Sequence, residues 1–150
     1  MPRGLSLTYA PKIEAVFNGS CRQTLRFSRN FKEGEKRTIH DWAGVPYRSP
    51  WGRRLDVEIT RVRLVKVDTK AIAVYGWGGE SWMSFPWDSI GAMNLARADG
   101  IVARPGDNRI LGLVWRDVLI ELNKTSRTPV DLERGAEGSI IEWEPIGGVY

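Results

Sequence analysis

Residues 11–27 read PKIEAVFNGSCRQTLRF, and the pattern changes character halfway along. Pro11 followed by Lys12, Ile13, Glu14, Ala15, Val16 and Phe17 predicts a short helix, with proline in its first turn and Asn18-Gly19 as its stop. Gln23 to Phe27 then predicts a strand. Strand side chains alternate, so Arg22, Thr24 and Arg26 share one face, with Gln23, Leu25 and Phe27 on the other. Two arginines flanking a hydroxyl, with no acid nearby in sequence, suit the wet lining of a cleft.

Working outward, Lys32 to Glu35 predicts a turn and Lys36 to Trp42 a second strand. Residues 43–53, with Gly44, Pro46, Pro50 and Gly52, predict a loop. Leu55, Val57 and Ile59, followed by Val62 and Leu64, alternate with a phase shift at Thr60-Arg61, which predicts one long strand over 55–67 bent by a bulge. Lys70 to Trp77 predicts a further strand. Asp88 is placed to cap a short helix or to supply its first-turn acid, with Ile90 and Met93 inward, Arg97 in the last turn and Gly100 as the stop. Leu111, Val114, Trp115, Val118, Leu119 and Leu122 form one continuous apolar stripe at helical spacing. Gly138 to Glu144 predicts a closing strand before Pro145. Strands outnumber helices and the helices fall in connections. That order predicts an α+β fold, a small mixed β-barrel with helices inserted between strands.

The chain has 150 residues, a length that predicts a single domain over 1–150. Its net charge of +4 is unevenly spread, about +8 over residues 1–66 and −4 over 67–150. Such asymmetry points to a polyanionic partner. One cysteine, Cys21, excludes an internal disulfide or a multi-thiolate metal site and fits a reducing cytoplasm. One histidine, His40, excludes a two-histidine metal site. No metal and no cofactor are expected. No stretch approaches the roughly 18 apolar residues of a membrane span, and the first residues carry no apolar signal core.

Residues 39–54, IHDWAGVPYRSPWGRR, interleave Arg48, Arg53 and Arg54 with Trp42, Tyr47 and Trp51. Guanidinium groups hold phosphates, and rings offer faces for unpaired bases at about 1–3 kcal/mol per stacked base. The competing role for these rings is to cap one end of the barrel.

The run Gly19-Ser20-Cys21-Arg22-Gln23-Thr24-Leu25-Arg26 resembles the G-x-K-x-x-T-x-R signature that opens ASCH domains of the PUA-like superfamily. Ala98-Asp99-Gly100-Ile101 is similar to that family's acid-Gly-Phe step, and Ile140-Ile141-Glu142-Trp143 to its final strand. The resemblance covers roughly residues 11–145 and implies a PUA-like pseudobarrel with a cleft for nucleic acid or a nucleoside. Some ASCH proteins deacetylate acetylated cytidine with the signature lysine, the signature threonine and the acid. Threonine maps to Thr24 and the acid to Asp99, but the lysine position is Cys21. Neighbouring Arg22 is no substitute, because guanidinium does not give up its proton in proteins.

These readings predict a non-catalytic module that binds RNA or single-stranded nucleic acid and holds one base or nucleoside in a cleft. Arg22, Arg26, Arg48 and Arg53 would hold phosphates, Trp42 and Trp51 would stack, and Thr24 with Asp99 would read the base. The alternative is a small amidohydrolase or a nuclease acting on modified or ordinary nucleic acid.

Overall fold

The computed structural model describes all residues except 1, 2, 29, 78, 125, 127 and 128, and the side chain of residue 3 is also left out of the description. The elements follow in the order β1 (Arg3–Ser6), α1 (Ala10–Phe17), β2 (Gln23–Arg26), β3 (Lys36–Trp42), β4 (Trp51–Val67), β5 (Ala71–Tyr75), β6 (Trp82–Pro86), α2 (Ile90–Ala98), α3 (Leu111–Lys124) and β7 (Ala136–Pro145). The result is a mixed α+β fold. Its seven strands form one sheet, antiparallel except for the parallel pair β1–β3.

The long strand organises the sheet. β4 pairs with β3 through its first half, with β7 from Val57 onward, and with β5 at its end. The register against β7 shifts between Ile59 and Arg61, at the phase change in the sequence. Ile140 and Ile141, adjacent on β7, enter different core clusters, so this strand is covered on both faces. One cluster holds Val65, Val67, Trp87 and Leu95 with the α3 residues Val114, Trp115 and Val118. The other packs Val16 of α1 with Leu55, Val57, Ile59 and Trp143.

Several expectations need correction. The sheet does not close into a ring: hydrogen-bonded pairing runs β1-β3-β4-β5-β6, while β2 pairs with β7 alone. β1 and β6 lie at the ends of that path and were not read from the sequence. The α2 cap is Ser89 and not Asp88: its Oγ accepts from Ala92 N at 3.2 Å, and its own N donates to Pro86 O, a tight turn that places Ser89 first. Ile90 is 69% exposed, and the buried face is instead Ala92, Leu95 and Ala96. Gly91 sits against Phe85, and a Cβ on Gly112 would collide with Trp87 O, so these helices pack closely by virtue of glycine. Among the described residues, no helix is long and apolar enough to cross a membrane.

Candidate active site in the open seam of the sheet

Because β1 and β2 are not paired, a gap separates them. A cavity of about 270 Å³ lies there, lined by the end of β1, by β2 and by α1 and α3. The Arg26 side chain spans the gap: its Nη2 on β2 donates to Ser6 O on β1 at 2.6 Å.

Three polar groups meet at one wall of the cavity. Lys12 Nζ donates to Thr24 Oγ1 at 2.6 Å and to Asp99 Oδ1 at 3.0 Å. All three side chains are buried. Asp99 is held further by Leu25 N to Oδ1 at 2.9 Å and by Trp115 Nε1 to Oδ2 at 3.1 Å. Local structure explains each placement. Lys12 and Val16 are one helical turn apart on the inward face of α1. Thr24 lies within β2, and Asp99 is the C-cap residue that directly follows α2. Gly100 completes that end with φ +80°, and a Cβ there would lie 3.2 Å from Lys12 Cγ and 3.3 Å from Cys21 Sγ. The acid-glycine step thus both aims Asp99 and leaves room for the lysine stem.

Burial pushes the Asp99 carboxyl above its ordinary range, against the downward pull of the Lys12 ammonium and the Leu25 N–H. Burial likewise pushes the Cys21 thiol up. Its Sγ donates to Gln23 O at 3.3 Å and Ala98 O at 3.4 Å, and it does not line the cavity. Cys21 is a packing residue beside the site.

Of the residues singled out from the sequence, Thr24, Arg26, Tyr47 and Asp99 line the cavity. The arginines and tryptophans of the loop and Arg22 do not. Arg22 precedes β2 and is exposed, with Nη1 2.7 Å from Glu144 Oε2. Arg22 therefore does not share the cleft face with Thr24 and Arg26. Arg53 is bound to Asp41 at 2.9 Å and to Glu14 at 2.8 Å. Trp51 stacks on His40 with centroids 3.9 Å apart, and the Arg54 guanidinium lies over its ring. Trp42 is half-buried, edge-on to His40 and tilted against Tyr47. Arg48 is exposed on the same loop.

Two site residues escaped the sequence reading. Lys12 was assigned to a helix without a role, and Trp115 was read only as core. The signal for Lys12 was its position: four residues before Val16, it occupies the apolar face of an amphipathic helix, where an unpaired ammonium would be costly. Among the described residues, no group of three His, Cys, Asp or Glu side chains is arranged to hold a metal ion.

The fold and cavity define an α+β domain with a buried lysine–threonine–aspartate cluster at the wall of a partly open cavity. Comparison with protein-family models, with curated proteins and with solved structures finds no match for this chain.

Proposed function

We propose that the chain is an ASCH-type, PUA-like domain whose cavity takes an acylated base or nucleoside and hydrolyses its amide bond. One observation carries this reading: Lys12 joins Thr24 and Asp99 at the cavity wall. The lysine absent from position 21 is supplied by α1. The objection raised by Cys21 therefore falls, and the hydrolase reading moves ahead of the binding module.

The geometry supports a stepwise route. Movement of a proton from Lys12 Nζ to Asp99 Oδ1 leaves two neutral groups, the form that burial favours for the carboxyl. Lys12 then presents an amine lone pair to the Thr24 hydroxyl, which gives up its proton as Oγ attacks the acyl carbon. Collapse of the tetrahedral intermediate releases the base amine, which takes the proton back from Lys12. Water repeats the sequence and frees the acid from Thr24. Trp115 and Leu25 N hold the Asp99 oxygens in place throughout.

The test is incubation of acetylated cytidine with wild type, Thr24→Val and Asp99→Asn, followed chromatographically. Wild type is expected to release cytidine and acetate, and each variant to lose roughly 10²–10⁴-fold in rate. Absence of product from wild type, or equal product from all three, ends the reading.

A second reading keeps the domain as a nucleic-acid-binding module with the same base-sized cavity. It draws on Arg48, which is exposed and forms no ion pair among the described residues. Binding of single-stranded RNA that weakens steeply with salt and fails in Arg48→Ala would favour it.

A further inference from the structure

The charges around the cavity do not balance. Among the described lining residues, Lys12 and Arg26 are cations and Asp99 is the one carboxylate. Asp99 is already committed to Lys12, Leu25 N and Trp115. The lining therefore carries one net positive charge, and Asp99 acts on Arg26 only at a distance, without an ion pair. Arg26 forms no ion pair among the described residues, its Nε is buried without a hydrogen-bond partner, and a neutral carbonyl, Ser6 O, is its acceptor. Burial opposes that charge, yet arginine keeps its proton in proteins. Arg26 is half-buried at the cavity wall, where a partly desolvated cation without an ion-pair partner is costly and an arriving oxyanion would reduce the cost.

The surroundings of Arg26 suit such a ligand. Tyr47 lines the same part of the cavity, with its hydroxyl 3.5 Å from Ser6 Oγ. It is the non-glycine residue with a left-handed backbone among the described residues, φ 65°. A tyrosine in that conformation is strained, and such strain is concentrated at ligand sites. Arg26, Tyr47 and Ser6 thus offer a guanidinium and two hydroxyls at the seam. Val118, Leu119 and Leu122 of α3 supply apolar lining to the same cavity.

We infer that the seam is an oxyanion subsite within this cavity: Arg26 takes a carboxylate or phosphate group attached to an apolar or planar body that lies against α3, so a ligand with such a group binds ahead of a neutral base or nucleoside. This inference concerns the same cavity as the proposed hydrolase but stands on its charge balance, and it does not need the amide chemistry.

The test compares benzoate with its neutral isostere benzamide, with phenyl phosphate as a third ligand, by calorimetric titration of the intact chain. Benzoate or phenyl phosphate is expected to bind at least tenfold more tightly than benzamide, and the difference to shrink in Arg26→Gln. The stronger of the two anions identifies the oxyanion. Loss of the Ser6 link in Arg26→Gln can weaken folding, so Arg26→Lys is measured beside it and should keep part of the preference. The wild-type ratio alone decides the matter if both variants fail to fold. Equal binding of benzamide and the anions, or no binding of either anion at millimolar concentration, overturns the inference. The two proposals fail separately. Anion preference without turnover of acetylated cytidine leaves the site standing without the hydrolase. Turnover without anion preference does the reverse.

Discussion

Two cation-rich regions compete for attention in this molecule, and the fold treats them in opposite ways. The loop over residues 43–50 and its flanks displays arginines and tryptophans, yet most of them engage one another. Arg53 is neutralised by Asp41 and Glu14, and Trp51 is taken up by His40 and Arg54. The seam between β1 and β2 shows fewer charges, but Lys12 and Asp99 are buried, Arg26 is half-buried, and all three face a cavity. Composition marks the first region more strongly. What the fold leaves open marks the second. The difference teaches that a cluster of functional residue types is a site only where its groups are not already satisfied by their neighbours.

The comparison can be broken by mutations that separate stability from activity. The largest expected effect is from Lys12→Met, which leaves Asp99 buried without its cation and should cost about 3–5 kcal/mol in urea unfolding. The folded-state carboxyl of Asp99 lies above its ordinary value of 3.8, so the folded state holds that proton more tightly than the unfolded one. Stability from this group is therefore complete below pH 3.8 and is lost as pH rises. The deficit of Lys12→Met should narrow as pH falls and Asp99 becomes neutral. A deficit that widens toward acid would break the assignment.

Trp51→Ala comes next. It removes the ring from His40 and empties the space above Gly4, where a Cβ would come within 2.6 Å of Trp51 Cζ2. A loss of about 2 kcal/mol is expected for a half-buried ring of this size, with turnover unchanged within about twofold. A large loss of activity at unchanged stability would return the loop to candidacy as a binding surface. Gly100→Ala should cost about 1–2 kcal/mol, since φ +80° is unfavourable for alanine and the added Cβ crowds Lys12. Part of that loss should appear in turnover, because the crowded atom belongs to the site lysine.

The smallest effect concerns His40. It is buried, and its Nδ1 donates to Asp41 O at 2.9 Å. Burial first, and then Arg54 and Arg26, push its pKa below the ordinary 6.5, while the bond to Asp41 opposes them. The neutral ring is the folded form, so its contribution is present above pH 6.5 and is lost as pH falls through the depressed folded value. A melting curve recorded at pH 7.5 and at 5.5 should show this acid loss in wild type and less of it in His40→Gln. An equal loss in both would assign acid sensitivity elsewhere.

Much of the fold was legible where one face of an element is buried. The bulge in β4 follows from the broken alternation at Thr60-Arg61, and α3 from its stripe. β1 and β6 were not legible: β1 is short and pairs with the distant β3, while β6 pairs with its neighbour β5 but is largely exposed and shows no buried alternation. β1 pairs in parallel with β3, so no hairpin turn announces it. The α2 cap was misread by one residue, because Asp88 and Ser89 are both good caps and the turn after Pro86 chooses between them.

The site was half legible. Thr24, Arg26 and Asp99 stand out through their motif, but their partner Lys12 reaches Asp99 across 87 positions of sequence. The signature position was read as a requirement for lysine at residue 21, whereas the proposed chemistry needs only a lysine amino group beside Thr24 and Asp99, whichever element delivers it. Arg22 looked like a third cleft residue by alternation alone, and the strand begins one residue too late to keep it there.

The most direct test of the central claim is the rate of acetate release from acetylated cytidine by Lys12→Met, measured against wild type and normalised to folded protein by tryptophan fluorescence. The account predicts cytidine and acetate from wild type and a fall of at least about 10²-fold in the variant. Release by the variant at the wild-type rate would contradict it.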